Sequence, residues 1–186
     1  MPIQGGTLRE AAQTFCDHVN HVLTRTVTEA RLVVFEVPPR VQLTFRQAGQ
    51  PITARLATRF GWMGLYLGQV CESVVVSNGL HELRTVEYKY TLTPEGAREP
   101  LLRWEYIRTP PADAQWCRHH LQGTVTLFQR DDQWTLLNDL HLPTGYVAFE
   151  DVLRFCIVDL GVVPLAHNWD QTLRTSYDAF KTEFAQ

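Results

Sequence analysis

The sequence lacks the motifs that most directly name a chemistry. There is no Walker A loop, no Gly-x-Gly-x-x-Gly after a strand pattern, no His-Glu-x-x-His and no Gly-x-Ser-x-Gly. Those absences remove the nucleotide-cradling, zinc-protease and serine-hydrolase readings that rest on such spacings. Cysteine is sparse and scattered: Cys16, Cys71, Cys117 and Cys156 form no Cys-x-x-Cys pair. Free, buried thiols in a reducing cytoplasm are the expectation, not a disulfide framework. No apolar run approaches the roughly eighteen residues of a membrane span, so none is predicted. The start, Met-Pro-Ile-Gln-Gly-Gly, has no basic stretch leading into an apolar one, so no signal peptide is predicted either. Basic excess is also missing: 17 Lys and Arg stand against 20 Asp and Glu, a net charge of −3. A generally cationic nucleic-acid surface is therefore excluded, and only a local basic patch stays open.

What is present is ample core material. Of 186 residues, 45% are hydrophobic, enough for one domain spanning residues 1–186. Thr7-x-x-Glu10 is a capping-box pattern. It leads a helical stripe of Leu8, Ala11, Ala12, Phe15, Val19 and Val22. Asp17 and His21 share the polar side of that helix, with His18 on its edge: a solvated face, or a histidine cluster feeding a site. Period-two patterns then take over. Val41, Leu43 and Phe45 fall on one strand face, Pro38-Pro39 breaks the sheet pattern, and Asn78-Gly79 marks a hairpin. The stretch 60–68, with three glycines among aromatics, reads as an irregular loop or bent strand that can line an apolar pocket. A further hairpin is expected across Arg130-Asp131-Asp132. Strands clustered between helices predict an α+β fold, an antiparallel β-meander covered on one face by one N-terminal and two C-terminal helices.

The most organised stretch is 138–161. Pro143 and Gly145 suggest a tight turn, with positive φ at the glycine. A helix follows, its apolar face made by Phe149, Val152, Leu153, Cys156 and Leu160, with Gly161 as its C-terminal stop. Glu150 and Arg154, four apart, are placed to pair on the wet face. His141 is expected where the sheet meets this helix. The last helix starts after Asn168, with Trp169, Leu173, Tyr177, Phe180 and Phe184 as its stripe.

Chemistry-bearing residues gather in the second half. Tyr88-Lys89-Tyr90 lies on the strand expected to pair with Arg103-Trp104-Glu105, and Arg118-His119-His120 and Asp139-Leu140-His141 follow. Two histidines titrate near neutral pH and can act as general base and acid on a phosphodiester, with arginine or lysine stabilising the phosphorane charge. The same histidines with Glu105 or Asp139 can be written as a zinc set, although His119 and His120, adjacent on an extended chain, point apart. They can equally be structural histidines with hydrogen-bond partners.

The run Tyr88-Lys89-Tyr90, then Leu102-Arg103-Trp104-Glu105, then the His119-His120 loop ending at Gly123, then the 149–160 helix, resembles the TumE-like toxins of prokaryotic toxin–antitoxin pairs, over residues 83–160. The segment 140–161 is also similar to a related uncharacterised prokaryotic group. The resemblance implies a small α+β toxin, RNA as substrate and a cognate antitoxin as partner. Aligning Gly123 with the family's motif glycine puts His120 on the second motif histidine and Arg118 on the first. Trp104 and Glu105 stand where tyrosine and aspartate are expected, and residues 1–82 precede the similar region. The resulting expectation is a cytoplasmic endoribonuclease without cofactor or metal. His120 and His141 are its acid/base pair, Arg103 and Arg118 its phosphate holders, and Lys89, Tyr90, His119 and Glu105 its binding residues. The alternative is a non-catalytic protein-interaction module or homo-oligomeric subunit, docked through the apolar 60–68 stretch or anchored by Trp62, Trp104 and Trp116.

Overall fold

The computed structural model describes residues 3–114, 116–130 and 133–184. In chain order the elements are β1 (Gln4–Gly5), α1 (Leu8–Thr26), β2 (Leu32–Val37), β3 (Arg40–Gln47), β4 (Gln50–Pro51), β5 (Ala54–Thr58), β6 (Gly61–Val75), β7 (His81–Pro94), β8 (Leu102–Ile107), β9 (His119–Gln122), β10 (Thr126–Arg130), β11 (Gln133–Leu136), a 3₁₀ turn at Leu137–Asp139, β12 (Leu142–Pro143), α2 (Phe149–Val158) and α3 (Trp169–Phe184). Among the described residues the main sheet runs β12-β9-β8-β7-β6-β3-β2, with β1 beside β7, β4 beside β3 and β5 beside β6. The pairings are antiparallel, and β10–β11 forms a separate hairpin. This is the α+β meander with one helix before it and two after it. The expected turn residues Asp131 and Asp132 lie outside the described residues, as does the Phe184 side chain.

The capping box forms as read. Thr7 Oγ1 accepts from the Glu10 N–H at 3.2 Å, and the Glu10 carboxylate accepts from the Gly6 N–H at 2.8 Å. The apolar side of α1 buries Ala11, Ala12, Phe15, Cys16, Val19, Val22 and Leu23 against Leu43, Leu67 and Tyr90 of the sheet and Phe149 of α2. Each fully buried leucine or phenylalanine contributes roughly 1.5–3 kcal/mol. Asn20 makes one contact that apolar patterning cannot foresee. Its amide accepts from the Leu32 N–H at 2.7 Å and donates to the Leu32 carbonyl at 3.0 Å, satisfying both edge groups of that residue on β2.

The stretch 60–68 is not an irregular loop: past the turn at Arg59–Phe60 it is strand. It begins the fifteen-residue β6, which pairs with β5, β7 and β3. Its glycines serve contacts between and along strands. Gly61, at φ 104°, turns the β5–β6 hairpin, a Cβ on Gly64 would meet Thr53, and Gly68 lies under the ring of Tyr66.

In the 138–161 stretch, Gly161 has the expected positive φ of 73°, but Gly145 does not take one. Instead β12 pairs with β9, and extended chain leads into α2, whose Asp151 carboxylate accepts from the Ala148 N–H at 3.1 Å. Glu150 does not pair with Arg154 on a wet face. It is 4% exposed and accepts from the Ser176 hydroxyl at 2.5 Å, while Arg154 reaches Asp170 of α3. A second helix packs where periodicity alone saw solvent. The same Ser176 hydroxyl lies 2.7 Å from His18 Nε2, and His18 packs edge-on to Phe180. The polar edge of α1 at His18 is thus half-buried against α3. Of the four cysteines, all free, Cys117 is exposed, unlike the buried Cys16, Cys71 and Cys156.

Candidate functional site

Strand register decides which side chains meet. On β7, β8 and β9 the cross-strand partners are Lys89↔Glu105↔His120 in one row and Thr91↔Arg103↔Gln122 in the next. Both rows continue onto β6, to Gly68 and Tyr66. β12 pairs Pro143 with His120, and continuing that register by one residue puts His141 opposite Gln122. Residues directly opposite share a face, so Lys89, Arg103, Glu105, His120, Gln122 and His141 lie together on one side. Their neighbours Tyr88, Tyr90, Trp104, Tyr106 and His119 take the other, under the helices, where Trp104 meets Phe155 of α2. His141 therefore sits over the helix-free face, not at the sheet–helix junction.

The cluster is bonded throughout. Glu105 is its hub: Oε1 lies 3.2 Å from Lys89 Nζ, and Oε2 lies 3.1 Å from Arg103 Nε and 3.4 Å from His120 Nε2. The Arg103 Nε contact is an ion contact outside hydrogen-bond geometry, which leaves that buried donor without an acceptor. A terminal guanidinium nitrogen of Arg103 donates to Gln122 Oε1. That bond fixes the amide, so Gln122 Nε2 is the donor to His141 Nε2 at 3.1 Å. His141 is thereby held neutral with its proton on Nδ1. Its pKa is lowered by partial burial first, then by His120 and Arg103. His120, buried, directs Nδ1 to the Cys117 carbonyl at 3.0 Å, which leaves Nε2 facing Glu105. The two imidazole centroids are 5.0 Å apart. Trp116 closes the group, 5.0 Å from the His120 ring and stacked on His141 at 5.8 Å.

The remaining expected site residues lie elsewhere. His119 stacks on Tyr106 at 4.4 Å, and its Nδ1 is 3.1 Å from the Tyr88 hydroxyl, on the helix-facing side; burial and then Arg118 lower its pKa. Tyr90 is buried in the core and stacks on Tyr88 at 4.7 Å. Arg118 is exposed, and none of the hydrogen bonds or ion pairs of the described residues ties its guanidinium to the cluster. The Asp139 side chain lies outside the described residues. Among the described residues no group of three or more His, Cys, Asp or Glu is placed to hold a metal ion. Gln122 was not singled out by sequence reasoning, yet period two from His120 puts it on the same face. Trp116, read as an interface anchor, packs on the histidines. Trp62 is exposed with Arg55 over its ring at 4.0 Å, and Trp104 is half-buried.

The site is built at the sheet's end because the loops around it are tied down. The Ile107 N–H bonds to the Arg118 carbonyl at 3.1 Å, closing the 108–118 connection. The Thr144 N–H bonds to the His119 carbonyl at 3.1 Å. Gly123 is pressed against Leu101, where a Cβ would stand 2.0 Å from the carbonyl oxygen. Beside the cluster the helix-free face dips into a depression of about 270 Å3, bordered by Tyr66, Glu87, Lys89 and Glu105. No helix of the described residues is long and apolar enough to cross a membrane. No protein-family model, curated protein or solved structure matches the chain.

Proposed function

We propose that this chain is an endoribonuclease that cleaves RNA by side-chain acid–base catalysis, acting as the toxin of a toxin–antitoxin pair and restrained by a cognate antitoxin. The observation that carries the reading is the pairing of His120 and His141, 5.0 Å apart on the helix-free face, with Arg103 bonded into the same network and one of its donors unfilled. His141 Nε2 already accepts a hydrogen bond, so a ribose 2′-hydroxyl replacing Gln122 as donor hands it a proton. The 2′-oxygen attacks phosphorus, and the P–O5′ bond breaks. His120, when protonated on both nitrogens with Nδ1–H on the Cys117 carbonyl, gives its Nε2 proton to the departing 5′-oxygen, leaving a 2′,3′-cyclic phosphate and a 5′-hydroxyl. Arg103 neutralises the equatorial oxygens.

The test is cleavage of a single-stranded RNA by the purified chain in the presence of a chelator. Cyclic-phosphate ends are expected from the wild type, with rates at least about 100-fold lower for His120→Ala and His141→Ala. Full cleavage by either variant, or none by the wild type, overturns the assignment.

A second reading, a non-catalytic module that docks a protein, is favoured by the exposed apolar row Val33, Phe35 and Val37 on edge strand β2. Unaltered RNA and a stable dimer or complex broken by Phe35→Glu would support it.

A further inference from the structure

We infer that the depression beside the cluster is a guanine subsite for single-stranded RNA. The inference rests on the RNA-cleaving reading and adds the base that the strand must carry. Tyr66 lies along β6 with its ring across Gly68, where a Cβ would stand 2.6–2.9 Å from ring and hydroxyl atoms. Only glycine allows this, and it gives the face a flat aromatic plate in a row with Lys89, Glu105 and His120. Unpaired bases are taken up in this way, stacked on an aromatic and read on their Watson–Crick edge.

The reader is Glu87, one row further along, between Val70 and Ile107. Glu105, the other carboxylate of the depression, is committed to Lys89, Arg103 and His120. No hydrogen bond or ion pair of the described residues occupies Glu87. An ionised carboxylate only accepts, and it takes two parallel N–H donors best. Guanine presents two adjacent donors, N1–H and the 2-amino group. Adenine, cytosine and uracil each present a single donor group on that edge. Lys89, between the plate and Glu105, is placed for the adjoining phosphate. The depression, about 270 Å3, is close to the lower end of small-ligand sites, roughly 300 Å3. Three inter-strand steps, roughly 14 Å, separate Gly68 from His120. The stacked base thus belongs to a nucleotide further along the strand than the scissile phosphate.

Binding is read by fluorescence anisotropy on labelled 2′-O-methyl oligouridines, which cannot be cleaved, carrying one guanine, inosine or adenine. The guanine strand is expected to bind about tenfold more tightly than the adenine strand, with inosine between them. Glu87→Gln should bring the three within about twofold of one another. Tyr66→Ala should weaken all three by about tenfold, and Tyr66→Phe should restore them. Equal affinities in the wild type, a guanine preference that survives Glu87→Gln, or no binding of any strand overturns the subsite; in the last case the depression is left to a protein partner. The 2′-hydroxyl strands are assayed for cleavage in parallel. Guanine-selective binding without cleavage sinks the nuclease and keeps the subsite, whereas cleavage without base preference does the reverse.

Discussion

Glu150 makes the stability of this protein depend on pH in a way that one substitution isolates. Burial between α2 and α3 pushes its carboxyl up from the ordinary 4.5 to about 7, opposed by the hydrogen bond from Ser176 and reinforced by Asp151. The folded chain keeps this proton to about pH 7, whereas an unfolded chain releases it near 4.5. The stabilising contribution is therefore fully present below pH 4.5 and is lost as pH rises through 7. The shift corresponds to roughly 3 kcal/mol, which in a chain of this size moves the melting temperature by about 6–12 °C. Glu150→Gln cannot ionise, yet it retains an oxygen to accept from Ser176. At pH 8 the variant should melt several degrees above the wild type, and at pH 5 the gap should close. His18 and His119, whose pKa values burial lowers, act with the opposite sign: their contribution is present above 6.5 and is lost as pH falls. His119 is common to both proteins and drops out of the difference, as does His18 where its contact with the Ser176 hydroxyl is kept. The measurement is therefore wild type against variant in thermal or urea unfolding across pH 5–8, repeated in a His18→Gln background to remove any coupling through Ser176. A difference that stays constant from pH 5 to pH 8 would refute the reasoning.

Gly123→Ala should destabilise the fold by about 3 kcal/mol or more, because the new Cβ would stand 2.0 Å from the Leu101 carbonyl oxygen; urea unfolding reads it, and an unchanged midpoint counts against the close approach. Asn20→Ala leaves the Leu32 N–H without a partner and its carbonyl with only the weak Cys16 thiol donor at 3.3 Å, and should cost about 2–3 kcal/mol, with faster hydrogen exchange at the Leu32 amide as its local mark. The acidic limb of the cleavage rate should lie below pH 6.5, since partial burial, His120 and Arg103 all disfavour protonated His141. Arg103→Gln should move that limb upward, and a limb that stays in place in a kcat/KM profile counts against His141 as the base.

The elements were legible wherever one physical rule governed the stretch. The capping box and apolar stripe gave α1, Asn78-Gly79 gave the β6–β7 turn, and Gly161 gave the end of α2. Legibility failed where a residue's role depends on what lies across from it. The glycines at 61, 64 and 68 suggest a break until Thr53 and Tyr66 are seen against two of them. Glu150 looks like a surface acid until α3 covers it. For the site, the collection Lys89, Arg103, Glu105, His120 and His141 could be named from residue types. That Tyr90 and His119 face away could not, because strand alternation separates neighbours without saying which set the helices cover. Gln122 was within reach, two residues from His120, but an amide between a histidine and an arginine acquires its role only once both partners are in place.

The adjacency of His119 and His120 on β9 makes connector length, more than connector composition, the inherited constraint. Between β8 and β9, Trp116 apart, much of the chain can change its letters, provided their number is kept. Adding one residue there without compensation would slide β9 by one position, turning His120 under the helices and bringing His119 out beside Glu105, and removing one would turn His120 under in the same way and put Leu121 beside Glu105. The altered chain would keep its composition, both histidines and most of its core, yet Gln122 would leave Arg103 and His141 together. Variation by substitution can thus be gradual here, whereas variation by insertion is all or nothing: a lengthened connector keeps the site only where the extra residues are taken up in the loop or in a bulge that leaves the β8–β9 pairing untouched.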